Sequence, residues 1–187
     1  QERFSVNVGA ARFTERYALD RAAPNEVLRA ALTAIAADLA RLDGRGVPDA
    51  VVAMGGAVTN LAAVKHGLAT YDRDVVHGTV LDRDEIDRQI ELYRARPAVR
   101  RRQITGLQPS RADVILAGAC IVRTVLAMLR CDALTVCDRG LRHGVLAERF
   151  RLGPPRPAAV SSRAGAELRG SGRARGGGEP QAPVPRR

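Results

Sequence analysis

The sequence predicts an α/β fold in which short parallel strands alternate with longer helices. Three observations lead there. Two brief runs, AVVAM at 50–54 and ALTVC at 133–137, are apolar without polar alternation, as strands covered on both faces are. The first feeds a helical pattern through Gly55-Gly56, and the second turns into one through residues 138–144. The remaining stretches carry apolar residues three and four apart, the spacing of one helix face. Hydrophobic residues make up 45% of the 187, but aromatics only 3% and Trp none, so Ala, Val, Leu and Ile must build the core.

In chain order, residues 3–17 alternate around a central glycine, with Phe4, Val6 and Val8 on one side. That pattern predicts a half-buried strand. Residues 26–42 predict a helix capped by Asn25 and stopped near Gly44, with Leu28, Leu32, Ile35, Leu39 and Leu42 as its stripe. A helix from 57 to 66 follows the first apolar run, and 76–81 has the look of a short strand. Asp82-Arg83-Asp84-Glu85 resembles a capping box opening a helix that buries Ile86, Ile90 and Tyr93. Residues 96–102 read as a basic turn or short helix around Pro97, with Arg100-Arg101-Arg102 as an exposed basic run. Ser110 and Asp113 suggest a second capping box, opening the most apolar helix of the chain (ADVILAGACIVRTVLAML), which must lie centrally. The last helix ends near Phe150.

The net charge of +10 is unevenly spread. Residues 151–187 hold eight arginines against Glu167 and Glu179, a net +6, which leaves +4 for residues 1–150. Pro, Gly, Ser and Arg without periodicity predict a disordered tail there. A basic nucleic-acid face is not supported, although the tail alone could act as a polyanion arm. Cys120, Cys131 and Cys137 form no CxxC pair and read as reduced, buried thiols of a cytoplasmic protein. No apolar run is long enough to span a bilayer. The chain opens on Gln1 inside a strand-like pattern, which suggests truncation.

The strongest chemical signal is MGGAVTN at 54–60, between strand and helix. Gly55 and Gly56 permit close backbone approach, the helix N-terminus favours an anion, and Thr59 offers a hydroxyl. The alternative is a tight turn that merely packs closely. It is neither a P-loop nor a dinucleotide fingerprint. Asp138-Arg139-Gly140-Leu141-Arg142 follows the second apolar run, where ligands collect in α/β sheets. Arg139 and Arg142 could fork onto phosphate oxygens, or simply be solvated beside a capping Asp. Arg111 and Asp113 are explained by capping and an ion pair, with a ligand role the lesser reading. Gly118 and Ala119 suggest close packing. His66, His77 and His143 show no metal-ligand spacing, and the acids between 82 and 91 read as a solvated helix face.

Taken together, VNVGAARFTERY, VVAMGGAVTNLAAV, ITGLQPSRADVILAGACIV and LTVCDRGLRHGVL resemble, in that order, the C-terminal half of the exopolyphosphatase / guanosine pentaphosphatase (Ppx/GppA) core, over about residues 3–150. The resemblance implies an actin-like (ribonuclease-H-like) ATPase fold, with residues 1–150 as a partial second domain and 151–187 as the tail. It implies hydrolysis of terminal phosphoanhydrides of polyphosphate or guanosine pentaphosphate with magnesium. Gly55, Gly56 and Thr59 would face the phosphate cleft, with Arg139 and Arg142 near it. The family's catalytic glutamate and both phosphate loops have no counterpart in these residues, so no catalytic or metal-ligating residue is assigned. Two central strands of the second domain also lack counterparts. The fragment is therefore expected to be inactive alone, or to serve as a non-catalytic phosphate- or alarmone-binding module. No membrane or nucleic-acid partner is implied, and a homodimer is one arrangement open to it.

Overall fold

Hydrogen bonding decides what the first residues become. The computed structural model describes residues 2–150. Gln1 and the expected tail, 151–187, lie outside the described residues. Residues 2–9 join no strand ladder, and α1 (Ala10–Tyr17) is a helix rather than the expected strand. Alternation was a misleading cue because the same stretch carries a helical stripe, Ala10, Phe13, Thr14 and Tyr17. Phe13 is fully buried and stacks on Tyr17. Helix α2 (Asn25–Asp38) begins one residue earlier than expected: Pro24 occupies the cap position, Asn25 is already helical, and no side chain caps it. The final turn tightens at 40–42, and Gly44 (φ 71°) ends the element.

Strand β1 (Val52–Met54) leads into α3 (Gly56–Lys65), then α4 (Arg73–Val76), β2 (Val80–Asp82) and α5 (Arg83–Arg94). Helices α6 (Ala98–Arg101) and α7 (Ile115–Met128), strand β3 (Ala133–Cys137) and α8 (Leu141–Arg149) complete the described chain. The sheet order is β1-β3-β2, with β1 parallel and β2 antiparallel to β3. The expected strand at 76–81 is thus mostly helix and turn, with only its end in the sheet. Asp82 caps α5 as expected, accepting the Glu85 N–H at 2.8 Å. The Ser110/Asp113 capping box does not form: α7 starts at Ile115 behind Val114 with no side-chain cap.

Helix α7 is central, packing against α1, α2, α3 and α5, which is why it is apolar on nearly every side. A β-carbon at Gly118 would lie 2.9 Å from that of Ala57, so this glycine lets α7 reach the first turn of α3. On the sheet, Leu81, Leu134 and Val136 are buried toward the helices, while Val52 (61% exposed) and Met54 (57%) face outward. The run at 50–54 is therefore an edge strand open on one face, not a covered one. Of the cysteines only Cys120 is buried; Cys131 and Cys137 are half-exposed, and all three are free thiols.

Arg101, expected on an exposed turn, is completely buried. Its guanidinium donates to the carbonyls of Tyr93 (2.8 Å), Leu19 (2.7 Å), Arg21 (2.9 Å) and Ala112 (3.3 Å). Burial lowers its pKa to about 10. The four carbonyls, not a carboxylate, make the buried cation tolerable, and they tie the α1–α2 loop to the start of α7. Among the described residues, no helix is long and apolar enough to cross a membrane.

Candidate anion-binding cleft

The parallel register sets the site. Met54 is level with Cys137, so β1 and β3 end side by side and their following loops are neighbours. Each loop opens a helix through glycine: Gly55 before α3 and Gly140 before α8. Neither helix has a side-chain cap or an acidic residue in its first turn. The opening N–H groups of a helix have no intrahelical acceptor, although in α8 the His143 N–H already turns back onto the Gly140 carbonyl at 2.9 Å, and two positive helix-dipole ends converge on one place. Between them is a cleft of about 370 Å³ lined by Gly55, Gly56, Thr59, Cys137, Asp138, Gly140, Arg142 and His143.

The two glycines are there for different reasons. Gly55 sits at φ 109°, ψ 168°, a conformation that residues with a β-carbon rarely adopt. Gly56 has ordinary backbone angles, but its missing side chain leaves room for Arg111, whose guanidinium carbon would lie 3.2 Å from a β-carbon there. Arg111 has no carboxylate partner among the described residues, and Asp113 pairs with Arg102 instead (3.5 Å). The expected ion pair is absent, and Arg111 lies as an exposed cation against the N-terminus of α3.

At the end of β3, Asp138 is held from several sides. Tyr71 donates its hydroxyl to Oδ1 (2.9 Å), Arg73 donates Nε–H to Oδ2 (3.0 Å), and the Asp138 N–H reaches His77 Nδ1 (3.3 Å). Arg73 also contacts His143 Nε2. Burial, then the Asp138 hydrogen bond, push the Tyr71 phenol up to about 12, with the Thr59 hydroxyl and Arg73 opposing. A carboxylate so occupied adds little repulsion toward an incoming anion.

Gly55, Gly56, Thr59 and Arg142 are thus brought together around the cleft, whereas Arg139 is exposed and does not line it. The Thr59 hydroxyl is turned onto its own helix, donating toward the carbonyls of Gly55 (3.3 Å) and Gly56 (3.4 Å). Its contribution is to the corner rather than a free donor. Sequence reasoning missed Tyr71, Arg73, Asp138 and the histidines as one cluster. His77 and His143 look scattered along the chain, but 69–79 folds over the end of β3, pinned by Gly78 N–H to Val136 O (2.8 Å). No local spacing encodes that. The Arg111 contact was the more accessible signal, since it needs a glycine opposite.

A profile of the Ppx/GppA phosphatase family matches residues 1–151. The chain belongs to the Ppx/GppA phosphatase family. Two solved relatives are Ppx/GppA phosphatase structures from Aquifex aeolicus. One is 29% identical with a TM-score of 0.75, covering 83% of this chain and 51% of that one. The other, a type II variant, is 30% identical with a TM-score of 0.74, covering 79% and 49%. An exopolyphosphatase from Cytophaga hutchinsonii, 19% identical with a TM-score of 0.67, shares the fold over 81% of this chain and 50% of its own. A bifunctional 3-dehydroquinate synthase/phosphatase of Fusobacterium nucleatum is 24% identical over 79% of this chain and 23% of its own length. This Ppx/GppA chain spans about half the length of its solved relatives. Its α/β architecture is that of their actin-like ATPase-type fold.

Proposed function

We propose that this Ppx/GppA chain supplies a phosphate-gripping wall of a phosphoanhydride hydrolase that removes terminal phosphate from polyphosphate or guanosine pentaphosphate. The observation that carries the reading is the meeting of two uncapped helix N-termini, with Arg142, on one cleft. Backbone N–H groups and a planar guanidinium suit the equatorial oxygens of a phosphoryl group, whose charge must be stabilised as the bond to the leaving group breaks. We read residues 1–150 as part of the second of two ribonuclease-H-like domains.

The hydrolytic water needs a carboxylate free to orient it. Asp138 is the cleft's carboxylate among the described residues, and Tyr71 and Arg73 occupy both its oxygens. These 187 residues are therefore proposed to bind but not to turn over. Among the described residues there is no cluster of three or more His, Cys, Asp or Glu able to hold a metal, so these residues supply no all-protein cage for magnesium. The same geometry suits the second reading, a non-catalytic phosphate- or alarmone-binding module.

The test combines phosphate release from polyphosphate and from guanosine pentaphosphate with calorimetry of the same ligands, on the 187-residue chain. Binding without release is expected. Robust turnover would overturn the inactive assignment, and absence of binding would overturn the cleft. A guanosine ligand preferred strongly over polyphosphate would favour the alarmone module.

A further inference from the structure

Residues 106–111 run along α3 from its C-terminal toward its N-terminal end, and three contacts fix them. Gly106 (φ 89°) lies so close to the α3 backbone that a β-carbon would come 2.3 Å from the Ala63 carbonyl oxygen. One turn nearer the N-terminus, the Gln108 N–H donates to Asn60 Oδ1 at 2.8 Å. One turn further, the Arg111 guanidinium rests against Gly56. The contacted α3 positions, 63, 60 and 56, are three and four apart and so share one helix face.

Asn60 is the middle rivet, and it is 1% exposed. Its amide bonds in two directions: Oδ1 accepts from the strap, while Nδ2 donates to the Gly56 carbonyl at 2.8 Å. One side chain therefore holds both the residue on which Arg111 rests and the segment that delivers Arg111. Capping and helix packing require neither bond. A buried apolar side chain of similar size would fill the space while releasing the strap.

We propose that Asn60 is a positioning residue that acts through Arg111, locking its guanidinium at the α3 N-terminus so that it contributes to anion binding at the glycine corner. The contribution of Arg111 to anion binding rests on the proposed phosphate-binding role of the cleft. A cation held against a positive helix end is unfavourable until an anion arrives, so its placement must be enforced by the fold, and Asn60 enforces it.

The test is a double-mutant cycle on the full chain with inorganic tripolyphosphate as the probe. Arg111→Ala is expected to weaken binding about tenfold, and Asn60→Leu by a similar factor. The double variant should be no weaker than Arg111→Ala alone, because a residue acting through another loses its effect once that residue is gone. Gln108→Pro is the companion variant. Gln108 is exposed with φ −64°, which suits proline, and the change deletes the strap's N–H without touching the α3 interior. It should reproduce the Asn60→Leu loss, and it serves if Asn60→Leu fails to fold. Additive losses, or full affinity in Gln108→Pro, would overturn the proposal.

A ligand-free readout keeps the two readings separate. The Arg111 Nε–Hε group should give a restrained NMR signal in the wild type that becomes motionally averaged in Gln108→Pro. If the wild type binds no tripolyphosphate, the phosphate reading fails, and this signal still judges the positioning. An Arg111 signal unchanged by Gln108→Pro refutes it.

Discussion

Gly55→Ala and Gly56→Ala, one residue apart, should behave in opposite ways. At Gly55 no atom of the described residues lies within 4 Å of a new β-carbon, so the cost there is backbone strain at φ 109°. A non-glycine residue forced into that region costs about 1–3 kcal/mol. At Gly56 the backbone is ordinary, and the new methyl meets only the tip of Arg111 at 3.2 Å, the flexible end of an exposed side chain that the methyl pushes aside while the strap carrying it stays in place. Alanine is also a better helix former than glycine, by up to about 1 kcal/mol in a helix interior. Gly56→Ala should therefore leave stability within about 0.5 kcal/mol of wild type. Urea unfolding followed by circular dichroism measures both, with an unchanged m-value certifying that the native state is compared with like. Anion affinity completes the contrast. Gly56→Ala should lose about as much tripolyphosphate binding as Arg111→Ala, roughly tenfold, because it evicts the guanidinium. Equal stability losses in the two variants, or a Gly56→Ala protein that unfolds easily, would refute the division of labour between the glycines.

Gly106→Ala combines a left-handed φ with a 2.3 Å backbone clash and should destabilise by more than about 3 kcal/mol, read as a lowered urea midpoint. Arg101→Met keeps much of the buried volume but leaves carbonyls of Leu19, Arg21 and Ala112 without their donor. A loss of about 3 kcal/mol is expected, and a neutral result would show that water reaches them. For Tyr71 the sign follows from its raised pKa. The folded state holds the phenolic proton more tightly, so this contribution is complete below pH about 10 and fades as pH rises toward about 12. Unfolding curves across that window should fall more steeply for wild type than for Tyr71→Phe, and parallel curves would contradict the Asp138 contact.

The buried pattern of α5, α7 and β3 was legible because each is governed by its own periodicity. The strand–glycine–helix corner at 52–56 was legible too, since two glycines after an apolar run admit few structures. What failed were features in which local cues compete or the deciding partner is distant. Residues 10–17 satisfy both an alternating and a helical pattern, and only packing of Phe13 chooses. Arg101 sits in a run of three arginines that look alike in sequence. Its burial depends on carbonyls more than ten positions away, apart from that of Tyr93. Asn60 carries no signal by itself, since a helical Asn is usually just a weak helix former. At the cleft, Gly55, Gly56 and Arg142 were readable from motif position, but the Tyr71–Arg73–Asp138 cluster required the fold to bring residues 65 and 67 positions apart into contact.

The central claim is that the anion is held where α3 and α8 begin. An amide-resolved NMR titration of the full chain with inorganic tripolyphosphate tests it most directly. The account predicts saturable shifts concentrated at the amides of 55–59 and 138–143, surviving moderate salt because N–H groups and Arg142 hold the ligand in a cleft. Shifts confined to the arginines of 151–187 and abolished by salt, with 55–59 unmoved, would contradict it.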